Sequence, residues 1–143
     1  DPLEGICVSA QANGVGNGSE TDSNGFYDIR GLAAGSYAVS FEDCNYTGGY
    51  VREHFDNTTR FGLATLVPVT AGATTPDIDA GLAVGGHITG TVTADDGGAP
   101  LEGICVSAQT NSGDGSGHAQ TDNNGLYDIS GLAAGSYRVR FGF

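Results

Sequence analysis

The sequence predicts an all-β protein assembled from tandem antiparallel β-sandwich repeats, and three observations carry that prediction. The nonapeptide LEGICVSAQ at Leu3–Gln11 returns letter for letter at Leu101–Gln109. Short runs of alternating apolar and polar residues recur between turn signals. The 143 residues include 25 Gly and four Pro, with few charged side chains. That composition suits turn-rich β-structure and not helices.

Taken in order, the elements follow from local pattern. Ile6, Val8 and Ala10 alternate with Cys7, Ser9 and Gln11, which predicts a strand with the first set inward. The Gly-rich stretch Asn13–Ser19 is read as an irregular loop. Asp22-Ser23-Asn24-Gly25 is a turn, repeated by Asp122-Asn123-Asn124-Gly125, because Asn-Gly supplies the positive φ of tight connections. Phe26–Ile29 predicts a strand and Ala34-Gly35 a second turn. Tyr37, Val39 and Phe41 then face inward, with Ala38, Ser40 and Glu42 outward. In the second copy Arg138 and Arg140 take the outward places and Tyr137, Val139 and Phe141 the inward ones. Leu66–Val69 and Ile78–Val84 predict two further strands. His87–Ala94 predicts another, with Ile88, Val92 and Ala94 on its apolar side. Roughly seven short strands per repeat make a β-sandwich.

The two copies are incomplete in opposite ways. Leu3 to Leu101 is an offset of 98 residues and Gly31 to Gly131 one of 100, so the second Gly-rich loop is two residues longer. Residues 1–85 form a first repeat lacking its N-terminal strand. Residues 86–143 form a second that has this strand but stops before its C-terminal ones. His87–Ala99 precedes the second LEGIC and has no counterpart before Leu3. The chain starts at Asp1 with no Met or signal peptide. It is therefore expected to be a mature or excised segment of a longer array, or one whose gaps neighbouring chains fill.

Seventeen acids face five basic residues, all Arg, for a formal charge of −12. Such a surface repels phosphate backbones and anionic headgroups, so nucleic acid is not an expected partner. No apolar run approaches the roughly 20 residues of a membrane helix, so membrane insertion is not expected.

Three pieces in sequence carry a family resemblance. Gly90-Thr91-Val92-Thr93 leads to Ala99-Pro100-Leu101-Glu102-Gly103, then comes Thr121–Tyr127 (TDNNGLY), then Gly131–Tyr137 (GLAAGSY). This order resembles the carboxypeptidase regulatory-like repeats of secreted bacterial proteins. The resemblance implies a transthyretin-like, seven-stranded Greek-key sandwich, and an accessory rather than a catalytic role. It continues through Val51–Thr58, Val67–Ala83 and Gly86–Val92, and so covers nearly the whole chain. Some related adhesin repeats carry an internal isopeptide crosslink from Lys; without Lys, this chain has none.

The strongest chemical signal is three Cys. Cys7 and Cys44 share the outward parity and could meet on one sheet surface as a disulfide, a staple that a small secreted sandwich needs. Free buried thiols, or a Cys7–Cys105 pair, are the alternatives. By the repeat offset, Cys105 would pair with a residue beyond Phe143. Asp22 and Asn24, with their twins Asp122 and Asn124, invite a structural Ca²⁺ reading. The EF-hand pattern fails, because Tyr27 stands where its Gly belongs and no terminal Glu follows; turn chemistry is the favoured reading. Glu53, His54 and Asp56 lie among Tyr46, Tyr50, Phe55 and Phe61. That cluster is read either as a sugar or metal site or as a connection plugging one end of the sandwich. The absence of Trp argues against sugar. His87 is assigned to a strand start and His118 to a Gly-rich loop. The sequence has no G-x-S-x-G elbow, no phosphate-binding loop and no Cys-x-x-Cys.

The expected protein is a non-enzymatic structural repeat of a secreted or cell-surface protein: a stalk, adhesin or fibre. Its expected partners are neighbouring repeats or identical subunits, through strand donation. A carbohydrate-binding accessory module of a secreted hydrolase or peptidase, with polysaccharide as partner, is the alternative. No cofactor is expected beyond structural Ca²⁺.

Overall fold

A computed structural model describes residues 1–45, 49–59, 61–112 and 115–143. The described residues form ten strands, all antiparallel where paired, and a single 3-10 turn at Phe61–Leu63. They fall into two compact units, Asp1–Ala83 and Val84–Phe143.

Unit 1 contains β1 (Cys7–Ala12), β2 (Val15–Glu20), β3 (Gly35–Glu42), β4 (Glu53–His54) and β5 (Val67–Val69). The sheet order is β2-β1-β3-β4, and β5 also pairs with β3. In β1 and β3 the period-two pattern becomes the two faces of the sheet. Ile6, Val8 and Ala10 pack with Tyr37, Val39, Phe41 and Val67 in one buried cluster. On the other face the Ser9 and Ser40 hydroxyls hydrogen-bond at 2.7 Å across the β1–β3 pair.

Unit 2 contains β6 (Gly86–Thr91), β7 (Cys105–Thr110), β8 (Ser116–Gln120), β9 (Leu126–Leu132) and β10 (Tyr137–Gly142). They form two sheets, β10-β7-β8 and β6-β9. Val106 and Ala108 from the first meet Ile129 and Leu132 from the second in a core no more than 5% exposed. The two sheets therefore face each other as the layers of a sandwich.

Several elements differ from expectation. The Gly-rich stretch Asn13–Ser19 is not irregular: Val15–Glu20 is a strand, paired along its whole length with β1. Its twin β8 places His118 in a strand opposite Ser107. Phe26–Ile29 and Ile78–Val84 are not strands, although the twin of the first is β9. The difference has a physical cause: β9 has β6 to pair with, and among the described residues no strand lies against Phe26–Leu32. Strand backbone without a ladder partner has no reason to hold extended geometry. Each unit thus has five strands among the described residues rather than seven. Phe141, expected inward, is 56% exposed, while Phe41 is 4% exposed. Val67 and Phe55 belong to the cluster that holds Phe41, and the described part of unit 2 has no equivalents to them.

Candidate functional site

Cys7, near the edge of the β1 face, meets Cys44 in the turn after β3. The two form a disulfide with a Cα–Cα distance of 5.8 Å. The Glu20 carboxylate lies within 4.8 Å of both sulfurs. Because the sulfurs are bonded to each other, that trio offers no thiolate pair to a metal. Cys105 is free and exposed, opposite Gly142 in the β7–β10 ladder.

The Asp22 carboxylate caps its own turn. Its Oδ1 accepts the backbone N–H groups of Asn24 at 2.8 Å and Phe26 at 3.0 Å. Asp122 does the same for Asn124 and Leu126, at 2.8 and 2.9 Å. These are the Asx-type bonds that fix a turn.

In the aromatic segment, Tyr46 lies outside the described residues, as does the side chain of Phe61. Tyr50 is half-buried, His54 is buried and Asp56 is exposed. Phe55 packs against the unit 1 core, and its N–H donates to Val39 O at 2.9 Å. Burial and the nearby Arg52 hold the His54 imidazole below its ordinary pKa, and burial raises the Glu53 carboxyl. The segment is tied into the sheet through the β3–β4 pairing.

Sequence reasoning missed two structural polar residues. The Thr21 hydroxyl accepts the Ile6 N–H at 2.9 Å and donates to Leu3 O at 2.6 Å. Thr121 repeats this with Ile104 and Leu101 at 2.8 and 2.6 Å. The signal was available, since a Thr precedes the Asp of both turn motifs. Its hydroxyl locks the start of each LEGIC strand.

Among the described residues, the stretch Phe26–Leu32 runs outside any strand ladder. In unit 2 the equivalent Leu126–Leu132 carries β6, and Ile129 and Leu132 are buried. In unit 1 Ile29 and Leu32 stay partly exposed, and Phe26 is 71% exposed. A groove of 830 Å³ opens beside this stretch. It is also lined by Ala10, Tyr37, Val39 and residues between Thr70 and Asp79, and the Tyr27 hydroxyl on its lining donates to Ile78 O.

Residues 87–143 match the family model of the carboxypeptidase regulatory-like domain. Over 134 aligned residues the chain is 29% identical to the serine-aspartate repeat-containing protein C of Staphylococcus aureus strain MRSA252. The alignment covers 85% of this chain and 15% of that protein's length. No solved structure matches the chain.

Proposed function

From the family match across residues 87–143 and the duplicated strand set, we propose that the chain is a non-enzymatic structural repeat. It belongs to an extracellular or cell-surface array and assembles by sharing strands between subunits. One observation carries the reading: the two copies repeat the same scaffold contacts. Thr21 and Thr121 lock the entry strands, and Asp22 and Asp122 cap the turns. The Tyr37 and Tyr137 hydroxyls donate to Ala33 O and Ala133 O. Tyr27–Phe41 and Tyr127–Phe141 are edge-to-face pairs, both with centroids 6.0 Å apart. What is duplicated is framework.

The location outside the cell rests on the disulfide, which persists in oxidising compartments, and on the similarity to a repeat-containing protein. Sedimentation velocity and negative-stain microscopy across a concentration series test the assembly. Oligomers or fibres growing with concentration are expected. A folded chain that stays monomeric at the highest concentration refutes it.

A further inference from the structure

We propose that the Cys7–Cys44 disulfide is a thiol-exchange site selective by charge, and that Glu20 sets the selectivity. Cationic and neutral thiols open the bond, and anionic thiols are held off. Both cysteines are only partly buried, so a small thiol reaches the sulfurs from solvent. The Glu20 carboxylate lies within 4.8 Å of both.

Strand register puts the carboxylate there. Cys7 on β1 stands opposite Glu20 on β2 and Glu42 on β3, and directly opposed side chains share one face of a sheet. The two acids differ in what neutralises them. Arg52 Nη1 comes within 3.9 Å of Glu42 Oε1. Glu20 takes part in no ion pair among the described residues. Its Oε1 accepts only from the neutral Asn45 amide, at 3.5 Å, so its charge is felt undiminished at the sulfurs. In the second copy the same flanks of Cys105 are Gln120 and Gly142, neither of them charged. The β7–β8 ladder forms with Gln at this position, so strand pairing does not require the carboxylate.

Exchange begins when a thiolate attacks one sulfur of the pair. The new S–S bond forms as the Cys7–Cys44 bond breaks, and the departing cysteine leaves as a thiolate that takes a proton from water. A second thiol then displaces the first from the mixed disulfide, so one external disulfide is made for each staple reduced. The Glu20 carboxylate repels negative charge arriving with the thiol and attracts an ammonium. The formal charge of −12 adds the same bias at longer range. The redox partner that fits this site is one whose nucleophilic thiol sits among basic groups.

The test uses the full 143-residue chain and two small thiols at equal thiolate concentration and low ionic strength. Glutathione carries a net negative charge besides its thiolate, and cysteamine carries an ammonium. Alkylation and mass mapping of the Cys7 and Cys44 peptides follow the staple separately from Cys105. Cysteamine is expected to be the faster. The ratio of the two rates is expected to fall about fivefold in Glu20→Gln, the combined effect of a repelled and an attracted charge each roughly 8 Å away in water. In the parent chain the ratio is expected to shrink as salt is raised to about 1 M. A ratio that ignores both changes overturns the proposal. A ratio that follows salt but not Glu20→Gln overturns the role of Glu20 and assigns the bias to net charge. A rate independent of thiol concentration also overturns it, because the sulfurs would then be reached only after unfolding.

Discussion

The hydroxyl of Thr21 does two jobs at a buried position, receiving the Ile6 N–H and bonding Leu3 O. Valine keeps the shape and removes both bonds, leaving the Ile6 N–H without its acceptor. Such an orphaned buried group costs about 1–3 kcal/mol. Thr21→Val and, separately, Thr121→Val are expected to lose that much in denaturant titrations, whereas Thr→Ser at either site keeps most of the stability. Tyr27 gives a pH-dependent counterpart. Its hydroxyl donates to Ile78 O, and burial together with the Asp79 carboxylate pushes its pKa up from 10.0 to about 12. The folded state then holds the proton more tightly than the unfolded chain. The resulting stability is complete below pH 10 and is lost as pH rises through about 12. Tyr27→Phe removes one hydrogen bond, so it is expected to be about 1 kcal/mol less stable at neutral pH. The gap to the parent should narrow between pH 10 and 12, which midpoints measured against pH will show.

At the scale of elements, the disulfide joins β1 to the turn after β3 across a separation of 37 residues. Closing a loop of that size stabilises by roughly 4 kcal/mol in the chain-entropy model. Alkylation with mass detection is expected to label one thiol, Cys105, in the native chain and all three Cys after reduction. Three labels without reductant would sink the pairing. Which elements were legible follows from what the side chains face. β1 and β3 announce themselves because one face of each is packed into a core, which forces alternation. β2 does not: VGNGSE is exposed along almost its whole length, so nothing imposes a period on it. Phe26–Ile29 failed for the opposite reason. Its residues have strand character, but a strand is a pairing, and sequence does not say whether the partner is present. The Cys7–Cys44 parity was readable from alternation. The Thr21 lock was legible only by comparing the copies, since a Thr precedes the Asp of both turn motifs but has no alternation of its own.

At the scale of the molecule, each unit has its own buried cluster, and the staple belongs to one of them. Unit 1 buries seven apolar residues in its cluster and holds the disulfide. Unit 2 buries four in its cluster and leaves Cys105 exposed. Small domains with little buried surface are marginal unless stapled. The oxidised chain is therefore expected to melt in two calorimetric transitions, with unit 2 the lower. Reduction acts on unit 1 alone. A domain of this size shifts by about 4–8 °C per kcal/mol. Loss of the staple should thus lower the upper transition by roughly 20 °C. The lower transition should not move. Scanning calorimetry with and without a phosphine reductant reads both at once, and the Val106 and Ile129 methyl resonances assign the unmoved one. One cooperative transition that shifts as a whole would show that the two cores unfold as a single unit.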